Sequence, residues 1–353
     1  SEVFVLSSPM NIPPRQGRDG FEAKLSQQNK SIIAASLILA CLQYYKFCGV
    51  SYVDASLITK VTKAAELLVW LFLAYSCLAR YLLEQCTKPP PNDPHSFCKS
   101  GRSSKPSLVF LGDSITHQRL SGEFAEMVQK NNPQLSVVNC GQNSILTWTV
   151  ARERVKWVAA CRPSYVSIMI GTNDVKGIYR KDWGDDSRAT WKIPEEVSFP
   201  NFEKNLRCIV DELLETTDAR LGLNTLCPSG EDMRSAANDC IRKGNEIVRK
   251  LAASYQKGKS QERVVLVDVF PALENFILAT TSEQQRGTSL KVDDFASVGP
   301  EIALRTKLLG QSYDRTNKKF GLVAFCDALH LNESGARVVA GVVQTWLEEV
   351  NPS

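Results

Sequence analysis

The sequence feature that most constrains the fold is the stretch 107–118, SLVFLGDSITHQ. An apolar run begins at Ser107 and stops at Gly112, and Asp113 and Ser114 follow directly. An apolar run without polar alternation is typical of a strand covered on both faces, as in a parallel sheet between helix layers. Such sheets bind ligands at the carboxyl ends of their strands. The stretch therefore predicts a strand that delivers Ser114 to this edge, although the pair Asp113-Ser114 taken alone is more typical of a helix cap.

Downstream of this stretch, apolar strand-like runs alternate with helical stretches. The runs lie near residues 107–112, 136–140, 165–170, 220–225 and 264–267. The helical stretches between and after them lie at 123–129, 147–160, 202–215, 232–255 and 334–350. This alternation predicts an α/β fold with a five-stranded parallel sheet and right-handed crossovers. Polar insertions at 179–200 and 280–320 interrupt the alternation.

The first 105 residues differ in character from the rest. They begin with a polar segment that contains three prolines, for which we expect little regular structure. Two uncharged runs follow, at 31–45 and 67–79, and the charged stretch between them predicts a helical hairpin with a polar turn at 50–66. A stretch with four prolines, then Ser and Gly, has the composition of a linker. We therefore divide the chain into a polar N-terminal segment, an apolar helical hairpin, a Pro/Ser-rich linker and an α/β domain, at residues 1–30, 31–86, 87–105 and 106–353.

The two apolar runs of the hairpin are short for a membrane span, which needs roughly 20 predominantly apolar residues. They approach that length only if the flanking Lys46 and Arg80 side chains extend to the bilayer surface. Two interpretations remain open: a hairpin that contacts a membrane, and a hairpin that packs on the α/β domain or on a membrane-protein partner. We favour membrane contact, and the sequence does not choose between a mitochondrial and a secretory compartment.

Composition argues against several classes of partner. The formal net charge is +4 over 353 residues without a dense block of Lys and Arg, so we expect no nucleic acid as a partner. The 11 cysteines form no CxxC pair and no Cys/His cluster of metal-ligand spacing, so we expect no metal and no cofactor. The chain has three histidines, His95, His117 and His330. We expect His95 to be exposed, because it lies in the Pro-rich stretch.

Small or polar residues follow other strand ends, as acyl-transfer chemistry requires. Gly141 follows the second strand, where a residue without a side chain lets its N–H approach a substrate oxygen. Asn173 follows the third strand and can direct an amide N–H at an oxyanion. Asp327 and His330 are three residues apart, so the carboxylate can accept the Nδ1 hydrogen of the imidazole and leave Nε2 as a general base for Ser114. Taken singly, these residues are also typical of a turn glycine, a turn-and-cap pair and a loop histidine.

Together these residues resemble the SGNH, or GDSL, hydrolase superfamily, over residues 107–350. The similar blocks, in family order, are Gly112-Asp113-Ser114, Asn139-Cys140-Gly141, Gly171-Thr172-Asn173-Asp174 and Asp327-Ala328-Leu329-His330. The resemblance implies a three-layer α/β/α sandwich of the flavodoxin-like type. It also implies that Ser114 is the nucleophile, His330 the base and Asp327 the residue that orients the base. The implied oxyanion hole consists of the Ser114 and Gly141 N–H groups and the Asn173 side-chain amide.

The sequence therefore predicts a metal-independent serine esterase or lipase-like enzyme that cleaves a carboxylic ester through an acyl-enzyme. The implied partner is an ester substrate, such as a lipid, a lysophospholipid or an acetyl ester. Two alternatives remain open. One is an acyltransferase that uses the same residues, and the other is a hydrolase-derived structural subunit of a membrane complex, attached through residues 31–86.

Overall fold

The computed structural model describes residues 38, 55–100, 104–256 and 263–350. The chain divides into two compact units, Ser1–Tyr81 and Leu82–Ser353. The predicted polar segment and, apart from Ile38, the first apolar run of the predicted hairpin lie outside the described residues.

The second unit contains a five-stranded parallel sheet, as predicted. Its strands are β1 (Ser107–Gly112), β2 (Ser136–Gly141), β3 (Tyr165–Met169), β4 (Arg220–Asn224) and β5 (Val264–Val267). They lie in the order β2-β1-β3-β4-β5, so β1 pairs with β2 on one side and with β3 on the other. All six residues of β1 are buried, in agreement with its unbroken apolar sequence. The carboxyl end of β1 therefore lies between those of β2 and β3.

Helices account for most of the remaining described residues. They are α1 (Ala55–Thr87), α2 (Pro94–Lys99), α3 (Ser114–His117), α4 (Phe124–Asn131), α5 (Thr147–Thr149), α6 (Val155–Ala160), α7 (Thr172–Tyr179), α8 (Lys181–Trp191), α9 (Phe199–Thr216), α10 (Ala236–Tyr255), α11 (Val269–Thr280), α12 (Glu283–Thr288), α13 (Phe295–Ala303), α14 (Tyr313–Asn317) and α15 (Glu333–Val350). A π-helical turn, Val150–Arg154, joins α5 to α6, and a second one, Leu304–Leu308, follows α13. Short 3₁₀ turns lie at Val292–Asp294 and Lys318–Phe320.

Alternate side chains of β1 enter two separate hydrophobic clusters, one on each face of the sheet. Val109 and Leu111 pack with residues of α6, α9 and α10. Leu108 and Phe110 pack with residues of α4, α11 and α15. Successive side chains of a strand point to opposite faces, so each face of the sheet carries its own helical layer. The predicted three-layer α/β/α sandwich is confirmed.

The predicted polar turn at 50–66 is wrong from Ala55 onward, because α1 is continuous from there to Thr87. The charged residues at Lys60, Lys63 and Glu66 are spaced by three. That spacing puts them on one side of a helix instead of breaking it. The N-terminal helix is thus longer than the apolar run that predicted it.

The two insertions and the Pro-rich stretch also contain helices. The insertion at 179–200 holds α8, and the insertion at 280–320 holds α12, α13 and α14. In the Pro-rich stretch, the Asp93 carboxylate caps α2 and the Phe97 side chain is buried in the core cluster that contains Val109. The Asn139 N–H donates to the Asn92 carbonyl at 2.9 Å. His95 is exposed, as expected.

Candidate active site

The chain turns sharply after β1 and places Ser114 at the carboxyl edge of the sheet. Asp113 caps α3, since its Oδ1 accepts the Ile115 N–H at 3.0 Å. A Cβ atom at Gly112 would lie 2.1 Å from Thr116 Oγ1 and 2.4 Å from the Met169 carbonyl oxygen, so only glycine fits there. The two sequence interpretations of Asp113-Ser114 therefore hold together: Asp113 is the cap, and Ser114 is the first residue of the helix.

A chain of hydrogen bonds joins Ser114 to His330 and Asp327, which lie more than 200 residues further along the chain. The Ser114 Oγ is 2.9 Å from the His330 Nε2, and the His330 Nδ1 is 2.7 Å from the Asp327 Oδ2. All three residues are buried. A carboxylate can only accept at Nδ1, so the Nε2 of a neutral imidazole is left as the acceptor facing the hydroxyl. The geometry suits transfer of the Ser114 proton to His330.

Hydrogen bonds within the loop that carries Asp327 and His330 fix its conformation. Asp327 Oδ1 accepts the N–H groups of Leu329 at 3.0 Å and His330 at 2.7 Å. The Cys326 N–H donates to the His330 carbonyl at 2.7 Å. Ala328 has a φ of +67°, a left-handed conformation that costs energy for a residue with a Cβ atom. The surrounding hydrogen bonds hold this conformation, so the Asp327 carboxylate is fixed on the imidazole.

Glu231, which the sequence analysis missed, binds the backbone just before this loop. Its Oε1 accepts three consecutive backbone N–H groups, those of Val323, Ala324 and Phe325, at 2.8, 2.7 and 3.2 Å. Burial raises the pKa of the Glu231 carboxyl, and the three N–H groups act in the opposite direction. A signal is present in the sequence, because Glu231 follows β4, whose carboxyl end lies at the same edge of the sheet as that of β1.

Gly141 lies at the end of β2, but its N–H is bound within the chain. It donates to the Asn139 Oδ1 at 2.9 Å. The Asn139 Nδ2 in turn donates to the Thr116 carbonyl at 2.6 Å. A Cβ atom at Gly141 would lie 2.3 Å from the His117 backbone nitrogen. Close packing against α3 therefore requires this glycine, independently of the oxyanion role, which stays a prediction.

Asn173 is buried at the start of α7, next to Asp174. The Asn173 Nδ2 donates one hydrogen to the Ile145 carbonyl at 3.0 Å, and an amide nitrogen carries a second hydrogen. The Asp174 carboxylate accepts the Thr147 N–H at 3.1 Å and its hydroxyl at 2.6 Å. Burial raises the pKa of Asp174 to about 7, and the hydrogen bonds from Thr147 oppose this shift. These bonds join the start of α7 to the start of α5.

The geometry agrees with the comparison against protein-family models. The model of the GDSL-like lipase/acylhydrolase family matches residues 110–338, which is more than half of the chain. The chain belongs to this GDSL-like family. The resemblance inferred from the sequence blocks is confirmed, and hydrolysis of acyl esters is the activity class that membership assigns. A search of the curated proteins found no match.

Several solved structures are similar to this GDSL-like chain. Axe2, an acetylxylan esterase from Geobacillus stearothermophilus, is 19% identical, with a TM-score of 0.46, over 71% of this chain and 96% of Axe2. LAE5, an alpha/beta hydrolase enzyme from the metagenome of Lake Arreo, Spain, is 19% identical, with a TM-score of 0.47, over 70% of this chain and 96% of LAE5. The acetyl xylan esterase AlAXEase is 19% identical, with a TM-score of 0.43, over 68% of this chain and 99% of that one.

Within residues 55–100, 104–256 and 263–350, no group of three or more His, Cys, Asp and Glu side chains is arranged to hold a metal ion. Ser114, His330 and Asp327, which the sequence singled out for chemistry, thus form one hydrogen-bonded group. Gly141 ends β2 and Asn173 follows β3, the two strands that flank β1 in the sheet.

Proposed function

We propose that this member of the GDSL-like family hydrolyses a carboxylic ester through an acyl-enzyme on Ser114. The observation that supports the proposal most is the unbroken hydrogen-bond chain from the Ser114 hydroxyl through His330 to Asp327. In this proposal His330 takes the hydroxyl proton while Ser114 Oγ attacks the ester carbonyl carbon. Asp327 holds the imidazole in the required tautomer and stabilises the imidazolium that forms.

The proposed tetrahedral intermediate carries a negative charge on the former carbonyl oxygen. The Ser114 N–H is available to it, because the first N–H groups of a helix have no acceptor within that helix. The second hydrogen of the Asn173 amide is the next donor. The Gly141 N–H joins them only if it gives up its bond to the Asn139 Oδ1. His330 then returns the proton to the leaving alkoxide, and water attacks the acyl-enzyme in the same way to release the acid.

Labelling with a fluorophosphonate tests the nucleophile directly, because the probe phosphonylates an activated serine. The full chain should react, and the Ser114→Ala variant should not. Ser107→Ala is the matched control, since Ser107 is also buried but lies at the opposite end of β1. Unchanged labelling of Ser114→Ala, or a folded parent chain that does not react at all, would reject the proposal. A series of 4-nitrophenyl esters from acetate to palmitate then gives the preferred acyl length.

We propose in addition that α1 contacts a membrane. Its segment Lys63–Thr87 is 25 residues long and is long and apolar enough to cross a bilayer. Large apolar side chains on it are exposed, among them Leu67, Leu68, Trp70 and Leu71. The expected result is that the full chain stays with membranes through an alkaline carbonate wash. Release by carbonate would contradict membrane insertion.

A shortened chain separates membrane contact from folding. Because Phe97 is buried in the core of the second unit and Asn92 bonds to Asn139, the cut belongs at the unit boundary before Leu82. A chain beginning at Leu82 should leave the membrane fraction and still react with the fluorophosphonate. If the shortened chain remained with membranes, α1 would not be the part that binds them.

A further inference from the structure

Lys176 is a cation on the same helix as the proposed oxyanion donor Asn173, one turn further along. Residues three apart on a helix lie on the same side, so both side chains leave α7 in a similar direction. The Lys176 side chain is partly buried and lines a pocket together with Tyr179, Trp183 and Ser229. The Lys176 ammonium is thus placed in a cavity beside the proposed active site, at a position with no part in the proton transfers described above.

Two aromatic rings lie close to this ammonium group. Its Nζ lies 4.9 Å from the ring centroid of Phe295 and 5.3 Å from that of Trp183. Both distances are within the range of cation–π attraction. In the part of the chain that the structure describes, no carboxylate oxygen lies within 4.0 Å of the Lys176 Nζ. The rings hold the cation in place without neutralising it.

The two rings come from the two polar insertions, which meet over Lys176. Trp183 belongs to α8 and Phe295 to α13, and their rings make an edge-to-face contact at 5.5 Å. Asp293 strengthens the junction, because it accepts hydrogen bonds from Arg180 and from the Tyr179 hydroxyl, both at 3.0 Å. Arg180 is paired with two carboxylates, those of Asp182 and Asp293. Lys176 is the basic side chain that lines the pocket itself.

The pocket adjoins the loop of the Ser-His-Asp group. Leu329, which lies between Asp327 and His330, packs in one cluster with the pocket-lining residues Ala237 and Val292. Burial lowers the pKa of Lys176, and the negative charges of Asp113 and Asp327 act in the opposite direction. The Asp327 oxygens already bind the His330 ring and two backbone N–H groups. The partly desolvated ammonium is therefore within the electrostatic influence of Asp113 and Asp327 but has no carboxylate oxygen in contact with it, which is costly unless a ligand supplies an anion.

We propose that the ester substrate of this chain carries an anionic oxygen group, a carboxylate or a phosphate, and that Lys176 binds this group in the pocket under Trp183 and Phe295. The inference rests on the proposed ester hydrolysis and adds the class of substrate. In this inference Lys176 is a specificity residue. The two insertions position its ammonium group, because they supply the aromatic rings that lie against it.

Two matched pairs of esters test the inference on the full chain, one for each side of the scissile bond. On the alcohol side, 4-acetoxybenzoate is compared with the neutral 4-acetoxybenzamide. On the acyl side, the mono-4-nitrophenyl ester of glutaric acid is compared with 4-nitrophenyl pentanoate, after subtraction of spontaneous hydrolysis. The unmodified chain should prefer the anionic member of at least one pair in kcat/KM, and that pair shows which side of the ester carries the charge.

The variant Lys176→Met keeps the length and the apolar stem of the side chain and removes its charge. It should lower kcat/KM for the preferred anionic ester by roughly 10- to 100-fold, the usual effect of losing one charged hydrogen bond, and leave the neutral ester nearly unchanged. Lys181→Met, which removes an exposed lysine of α8, is the control and should preserve the preference. Lys176→Arg should retain most of the preference because it retains the charge.

The outcomes separate this inference from the proposed function. Equal cleavage of both members of each pair by the unmodified chain would overturn the inference and leave ester hydrolysis intact, and this measurement needs no variant. Equal loss on neutral and anionic esters in Lys176→Met would mean that the lysine balances Asp113 and Asp327 instead of binding substrate. A folded chain that cleaves none of the esters and does not react with a fluorophosphonate would overturn the inference and the proposed function together.

Discussion

The acid–base half and the oxyanion half of the proposed active site differ in what their polar groups bind. In the acid–base half, Ser114, His330 and Asp327 bind one another, at 2.9 and 2.7 Å. In the oxyanion half, the Gly141 N–H and the Asn173 amide bind the Asn139 side chain and the Ile145 carbonyl. The proton-transfer geometry is therefore assembled within the chain itself. The proposed oxyanion donors instead have to share hydrogens with other acceptors, or change partners, when a substrate binds.

Each half is held by one buried carboxylate from a different element. Glu231, after β4, binds the backbone just before Asp327. Asp174, in α7, binds Thr147 at the start of α5. The proposed catalytic geometry thus depends on buried carboxyl groups that do not themselves react. Substitutions in the two halves should therefore differ in kind as well as in size.

The largest effect is expected from breaking the acid–base half. Ser114→Ala and His330→Ala should each lower kcat by roughly 10⁴- to 10⁶-fold, because the members of such a group act as a unit. The double variant should be no slower than the slower single variant. Steady-state kinetics on one activated ester measure all three, and losses that multiply in the double variant would show that the two residues do not share a step.

Asn173→Ala tests the oxyanion half and should lower kcat by roughly 100- to 1,000-fold, the loss expected for one oxyanion donor. Circular dichroism should match that of the parent chain. Asn132→Ala is the matched control, since Asn132 is also buried and hydrogen-bonded but lies before β2, at the opposite edge of the sheet. A variant of Asn173 that is unfolded, or one changed only in KM, would argue for a capping or ground-state role.

Glu231→Gln tests whether the Glu231 carboxylate supports the acid–base half. The amide keeps one acceptor oxygen but loses the charge that binds three N–H groups, so we expect unfolding to become easier by about 1–3 kcal/mol. Denaturant unfolding followed by fluorescence measures this change. Glu283→Gln, on the exposed Arg234–Glu283 pair, should change stability by less than about 0.5 kcal/mol. Equal effects at the two positions would show that Glu231 is not holding the loop.

The last effect concerns the support of the oxyanion half and appears as a dependence of stability on pH. The pKa of Asp174 is about 7 in the folded chain, against 3.8 for an exposed carboxyl, so between these values the folded state retains a proton that the unfolded state has released. The free energy of unfolding should therefore fall as pH rises through this window, with a slope of at most about 1.4 kcal/mol per pH unit from this group.

Asp174→Asn should remove that contribution and flatten the stability profile between pH 4 and 7. Asp218→Asn, which changes an exposed carboxylate, is the control. Denaturant midpoints measured at several pH values give the slopes. If Asp174→Asn and the parent chain had parallel profiles, Asp174 would be ionised throughout this range, and its bonds to Thr147 would be those of a charged carboxylate.

Much of the fold follows from short stretches of sequence. The unbroken apolar run from Ser107 to Gly112 marks an interior strand, and the alternation of later runs with helical stretches predicts a parallel sheet with helices on both faces. The sequence blocks also identify Ser114, Asp327 and His330 as a group. These features depend on residues close together in the chain, such as apolar periodicity, a cap at Asp113 and the spacing of three between Asp327 and His330. Such local signals can be read from the sequence without knowledge of the long-range contacts.

The tertiary structure decided the contacts between distant parts of the chain. Glu231 binds the backbone more than 90 residues away, the Asn139 side chain binds the Thr116 carbonyl, and the two insertions meet over Lys176. A charged residue in a polar loop has the same sequence signature whether it is solvated, pairs with a neighbour or lines a pocket. Which of these occurs depends on which loops the packing of helices on the sheet brings together. The sequence by itself therefore determined the layers and the proposed reacting residues, whereas only the packed sheet edge determined which groups bind those residues and which charge lines the neighbouring pocket.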